Sequence, residues 1–134
     1  MIMPAMMLTA LAAFQAGAPP FSPPANWAVL PALRWKLPPR HEPGTSDYVR
    51  SEVAAGRCAA GQRSARASAL RVDIAVLATA DGKVRAVVPR AINCPTVEQY
   101  TVGLIQRMAR DNLDTAGRPA DTWYRAAMTY SWSE

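Results

Sequence analysis

The residues with the most obvious chemistry in this chain are its two cysteines, Cys58 and Cys94. Two thiols cannot form a structural zinc site alone, and neither has the close cysteine or histidine neighbours that zinc ligation requires. In an oxidising compartment we expect them to form one disulfide, which would close a loop of about 36 residues and contribute about 3 to 4 kcal/mol of stability. A redox-active pair is the alternative, but it normally has a Cys-x-x-Cys motif or an adjacent base, and the sequence shows neither.

The only histidine, His41, lies between Arg40 and Glu42 in a proline-rich stretch. No second histidine and no carboxylate cluster accompany it, so it does not suggest a catalytic or metal site. We therefore expect His41 to be solvated. The sequence predicts a protein that is not an enzyme and that needs no cofactor or metal.

The chain carries a net charge of +5, and nearly all of its cationic residues are arginines. This balance would suit an anionic partner such as nucleic acid, phospholipid headgroups or lipopolysaccharide. The arginines are dispersed from Arg34 to Arg125, however, with no dense block and no aromatic RNA-binding signature. We expect no nucleic-acid partner, and binding to anionic envelope polymers remains an alternative function.

The stretch from Leu70 to Val88 has the clearest structural pattern, two alternating apolar runs joined by Asp81-Gly82. Alternation with a period of two is typical of strands with one buried face. An Asp-Gly pair between such runs predicts a β-hairpin with a type I′ turn, since glycine adopts positive φ without a steric clash. The alternating apolar residues are Leu70, Val72, Ile74, Val76, Val84, Ala86 and Val88.

Two helices are predicted, one on each side of the hairpin. The first runs from Ser46, a suitable N-cap, to Gly56, which suits the left-handed position after a helix. The second follows Cys94-Pro95 and has a potential capping box formed by Thr96 and Gln99. Apolar residues at spacings of three and four then form one wide face that could cover a small sheet.

A third strand is predicted from Thr122 to Trp132, after a polar loop. Its two faces alternate, with Tyr124 and Met128 on the inward one and Trp123 and Arg125 on the outward one. These elements together predict an α+β domain over residues 46–134, with a three-stranded antiparallel sheet packed against two helices.

Two segments precede this domain. Residues 1–18 are uncharged and mostly apolar but shorter than the roughly 20 residues of a membrane-spanning helix, which predicts a signal peptide or a short uncleaved anchor. Residues 19–45 contain eight prolines and are expected to form an extended tether. The apolar residues between these prolines could dock on the domain or face a membrane or partner.

The order of these motifs resembles the C-terminal periplasmic domain of TonB, the energy transducer of Gram-negative envelopes. The resemblance covers residues 46–132 and lies in the order and spacing of short motifs. These are Gly56, Val72-Asp73-Ile74-Ala75-Val76, Asp81-Gly82-Lys83-Val84, Cys94-Pro95, Gly117-Arg118-Pro119 and Tyr130-Ser131-Trp132.

The resemblance implies a periplasmic, non-enzymatic module that binds a peptide of an outer-membrane receptor, or an inner-membrane complex, by adding a strand to a sheet edge. An energy transducer for TonB-dependent transmembrane transport, anchored in the inner membrane if residues 1–18 are not cleaved, is the alternative within this family. The same exposed edge could instead pair with a second copy to form a homodimer. The expected contact residues are Trp123, Tyr124, Arg125, Ala127, Thr129 and Ser131.

Overall fold

The computed structural model describes residues 21–40, 42–58, 69–118 and 120–133. The predicted signal peptide or anchor and His41 lie outside these residues. The described elements are a short 3-10 helix (Trp27–Val29), α1 (Pro43–Ala54), β1 (Ala69–Ala78), β2 (Val84–Pro89), α2 (Pro95–Ala109) and β3 (Thr122–Ser131). The predicted α+β fold, with a three-stranded antiparallel sheet and two helices, is confirmed.

The central strand of the sheet is β1, which pairs with β2 on one side and β3 on the other. Residues that lie directly opposite each other share a face, so Ile74 is on the same face as Ala126 of β3. This face packs against the helices, and we call it the helix face. It holds the apolar core, where Ile74 and Tyr130 are fully buried. The predicted inward face of β1 is confirmed, since Leu70, Val72, Ile74 and Val76 are all buried, but the alternation ends at Ala75, which is buried on the other face.

The hairpin between β1 and β2 is present, but the predicted type I′ turn is wrong. Gly82 has a φ of +85°, whereas Asp81 is not among the residues with positive φ, which a type I′ turn would require. The Gly82 amide donates to the Thr79 carbonyl at 3.0 Å, and the Thr79 amide donates to the Lys83 carbonyl at 2.8 Å. The turn is therefore wider, with Gly82 supplying the one left-handed position. The Thr79 side chain favours it by bonding to both Asp81 and the Lys83 amide.

The first helix, α1, begins earlier than predicted. It starts at Pro43, and Ser46 lies within its first turn, so Ser46 is not the N-cap. The predicted end is confirmed: Gly56 has a φ of +78°. The amides of Gly56 and Arg57 donate to the carbonyls of Val53 and Glu52, which is the Schellman arrangement.

The second helix, α2, is not capped by the predicted Thr96–Gln99 box. Its N-cap is Cys94, and the Glu98 carboxylate accepts hydrogen bonds from the amides of Cys94 at 3.0 Å and Ile92 at 3.3 Å. The Thr96 hydroxyl instead donates to Glu52 of α1 at 2.8 Å. The predicted apolar face is confirmed by burial of Val97, Thr101, Leu104, Ile105 and Ala109.

A disulfide joins Cys58, just after α1, to Cys94 at the start of α2. Both cysteines are fully buried. On the helix face, the hydroxyls of Thr101 and Tyr130 lie 2.6 Å apart and link α2 to β3. Burial raises the pKa of the Tyr130 hydroxyl, and the hydrogen bond with Thr101 partly opposes this rise.

Residues 21–40, within the segment predicted as a tether, lie against the sheet and α2. Leu30 and Leu33 are 8% and 9% exposed, and Leu33 belongs to the main apolar core. We call residues 30–37 the strap, because they cross the outer edge of β3. These contacts place the strap in the folded unit, which is one of the two options that its apolar residues left open.

Candidate functional site

The outer edge of β3 is the surface on which the sequence placed partner binding. Along a strand, the backbone groups of successive residues point to opposite sides. Arg125 directs its amide and carbonyl away from β1, because both are bonded to the strap. It follows from the alternation that Ala127, Thr129 and Ser131 also present their backbone groups at this outer edge.

The strap occupies the edge at one point, Arg125. The Arg125 amide donates to the Pro31 carbonyl at 2.9 Å, and the Leu33 amide donates to the Arg125 carbonyl at 2.8 Å. Ala32 thereby forms a parallel bridge with Arg125, so a short piece of the chain already adds to the sheet as a fourth strand would. The Arg125 side chain reinforces the contact by donating from Nε to the Leu30 carbonyl at 2.9 Å.

Beyond Leu33 the strap leaves β3 and is held by the loop after α2. The side chain of Asn112 bonds to both the amide and the carbonyl of Leu37, each at 2.9 Å. The backbone carbonyl of Asn112 accepts from the Lys36 amide at 2.8 Å. The Asp114 amide donates to the Arg34 carbonyl at 2.9 Å. Sequence reasoning placed Asn112 in a polar loop and missed this role, for which an asparagine in a loop gives no distinctive signal.

The part of the edge that follows the strap is open. Within the described ranges, no backbone hydrogen bond reaches the outward groups of Ala127 or Thr129. The Ser131 amide is partly satisfied by the Ser46 hydroxyl at 3.3 Å. The open edge, by which we mean Ala127 and Thr129, therefore offers two amides and two carbonyls to an added strand.

The other predicted contact residues have different surroundings. Tyr124 is 2% exposed and its side chain lies in the core, where no described residue bonds to its hydroxyl. Its side chain therefore cannot contact a partner. Trp123 is half-buried, whereas the side chains of Arg125, Ala127, Thr129 and Ser131 are exposed. The structure thus exposes the side chains of four of the six predicted residues, but only Ala127 and Thr129 lie on the open edge.

A depression of about 510 Å³ surrounds the edge between Ala126 and Met128. On the helix face, Trp35, Met108 and Met128 line it with apolar surface. On the opposite face it is lined by charged and aromatic side chains, namely Trp27, Arg71, Asp73, Arg90 and Arg125. We call this second side the arginine face.

Three arginines and one aspartate make the arginine face positive. Arg71 bonds to Asp73 through Nε at 3.0 Å, and their side chains are 66% and 42% exposed. The Arg90 guanidinium lies 4.4 Å from the centre of the Trp27 ring in a cation–π contact, and no described carboxylate forms a salt bridge with it. The arrangement could attract an anionic group beside the open edge.

Two features are absent from the described residues, a metal-ligand cluster and a membrane-spanning helix. They contain no group of three or more histidine, cysteine or acidic side chains that could hold a metal ion. No helix among them is long and apolar enough to cross a membrane. No protein-family model matches the chain, and comparisons with curated proteins and with solved structures give no match either.

Proposed function

We propose that this chain is a non-enzymatic protein-binding module of the periplasm that takes an extended peptide as an additional strand on β3. The observation that carries the proposal is the strap. At Arg125 the β3 edge already pairs with the extended strap, in an isolated bridge with Ala32 that has two backbone hydrogen bonds of 2.8 and 2.9 Å. Ala127 and Thr129 present the same groups without a partner among the described residues, and main-chain hydrogen bonds of this kind provide affinity in strand addition.

The proposed compartment and partner class rest on two further features. The Cys58–Cys94 disulfide is typical of proteins that fold outside the cytosol, and it is therefore consistent with export. The resemblance to the TonB C-terminal domain suggests a peptide of an outer-membrane receptor as partner. An inner-membrane complex is the second candidate partner, and an anchored energy transducer is the second candidate role.

A substitution of Ala127 by proline tests the proposal. Proline removes the outward amide, whereas the bonds between β3 and β1 use the alternate residues and are retained. The matched control is Ala127→Val, which enlarges the same side chain but keeps the amide. We expect the unaltered protein and the valine variant to capture the same envelope protein from an extract, and the proline variant to lose at least nine-tenths of it.

Equal capture by the proline and valine variants would refute strand addition at this edge. A homodimer formed through the same edge would also be lost in the proline variant. Light scattering of the purified proteins distinguishes the two cases, because a homodimer is detected without any extract.

A further inference from the structure

The two sides of the depression at the open edge differ in chemistry. Because side chains of a strand alternate between faces, a peptide added beside Ala127 and Thr129 would direct every second side chain to the arginine face. The remaining side chains would meet Met128 and Met108 on the helix face. The structure therefore constrains the composition of the peptide as well as its conformation.

The register of the sheet places positive charge next to the open edge. Arg71 of β1 lies opposite Thr129, Asp73 opposite Ala127, and Ala75 opposite Arg125, so all six residues share the arginine face. Arg90 is held at the other end of this face because its amide donates to the Asp73 carbonyl at 2.9 Å. The one carboxylate there, Asp73, balances only one of the three arginines that line the depression.

We propose that the open edge selects an extended peptide with alternating acidic and apolar residues, its acidic side chains lying on the arginine face. This inference rests on the strand addition proposed above and adds the chemical class of the partner. The acidic side chains approach Arg71 and Arg125, and the apolar ones cover the half-buried side chain of Met108 beside the buried Met128. Free anionic polymers lack a peptide backbone that can pair with Ala127. They could contact the arginine face but could not form the backbone hydrogen bonds of the open edge.

The test uses two blocked synthetic heptapeptides, one alternating glutamate with valine and the other alternating lysine with valine. Isothermal titration calorimetry at low salt is expected to show at least tenfold tighter binding of the glutamate peptide. The advantage should shrink as salt is raised, because exposed charges are screened. A glutamate peptide N-methylated at all of its amides provides a ligand without backbone donors, and it should not bind measurably.

The charge contribution is tested with Arg71→Gln, which leaves Asp73 unpaired beside the peptide. We expect it to weaken binding of the glutamate peptide by about threefold, a typical effect of one exposed ion pair. The control Arg50→Gln makes the same change in net charge on the exposed side of α1 and should leave the affinity within 1.5-fold of the unaltered protein.

The outcomes separate this inference from the proposed function. If both peptides bind equally and N-methylation abolishes binding, strand addition stands and the selection for acidic residues is overturned. If the glutamate peptide binds as tightly after N-methylation, or if Arg50→Gln weakens it as much as Arg71→Gln, the surface attracts anions without an edge-specific site and the inference is overturned. If neither peptide binds, strand addition itself is refuted.

Discussion

The docking of the strap makes a strong prediction about two leucines that lie four residues apart. Leu33 is 9% exposed and packs in the core, whereas Leu37 is 74% exposed. Removing a buried leucine side chain costs about 2 to 5 kcal/mol, because transfer energy is lost and a cavity remains. Removing an exposed one changes stability by less than about 0.5 kcal/mol.

For Leu33→Ala, the structure favours a loss of stability in the lower half of this range of about 2 to 5 kcal/mol. Leu33 lies at the margin of the core, so water can fill part of the space that the side chain leaves. We therefore expect a loss of about 2 to 3 kcal/mol in the free energy of unfolding. For a domain of this size that corresponds to a fall in Tm of about 8 °C or more.

The difference in stability between the Leu33→Ala and Leu37→Ala variants is measured by urea denaturation followed by tryptophan fluorescence. Thermal unfolding provides a second measurement. The Leu37→Ala variant is the matched control, since it makes the same substitution in the same strap. Equal stabilities of the two variants would show that Leu33 is not part of the core in solution. The strap would then be a free tether, and the edge at Arg125 would be open as well.

Three further predictions concern the core and the disulfide. Tyr130→Phe should lower the free energy of unfolding by about 1 to 2 kcal/mol, because it removes the buried hydrogen bond to Thr101. Tyr124→Phe should leave the free energy of unfolding unchanged or raise it, because the Tyr124 hydroxyl has no partner among the described residues. The same loss in both variants, measured by urea denaturation, would contradict this prediction. Because folding raises the pKa of the Tyr130 hydroxyl, the hydroxyl ionises at a lower pH in the unfolded chain than in the folded one. The free energy of unfolding should therefore fall as pH rises above about 10, and it should fall less steeply in Tyr130→Phe. Parallel profiles of stability against pH for the two proteins would contradict this prediction. Reduction of the Cys58–Cys94 bond should cost about 3 to 4 kcal/mol, and urea midpoints that are the same with and without reductant would refute that figure.

The features that could be predicted from the sequence are those fixed by local pattern. The alternation of β1 predicted a face that is buried in the structure, and the spacing along α2 predicted the helix side that covers it. Gly56 predicted the end of α1 because few other residues adopt its backbone conformation without strain. The alternation of β3 likewise separated Met128, which is buried, from Thr129, which is exposed.

The features that could not be predicted depend on contacts between distant residues. The hairpin turn follows from the Thr79 hydroxyl, whose bonds compete with the type I′ geometry that Asp81-Gly82 favours alone. Similarly, Ala75 is fully buried although it lies on the face that the pattern assigned to solvent. Its burial shows that this face is covered at Ala75, although Arg71 on the same face is exposed, and the pattern of β1 alone cannot reveal this.

The sequence left open whether the apolar residues of the strap dock on the domain, and in the structure they do. Prolines correctly indicated an extended segment, but extended conformation does not specify whether a segment is free or paired. The apolar residues Leu30 and Leu33 carried the signal for docking. Their docking across β3, and the hydrogen bonds by which Asn112 fixes the end of the segment, are visible only in the structure.

The pairing of the strap with β3 also has a consequence for how the chain folds. Leu30 and Arg125 are bonded although they are 95 positions apart, so their contact closes one of the longest loops in the protein. Closure of such a loop is entropically costly until the intervening sheet and helices exist. We therefore expect the contact between the strap and β3 to form late in folding, after nearly the whole domain has been synthesised. We also expect this contact to open early in unfolding.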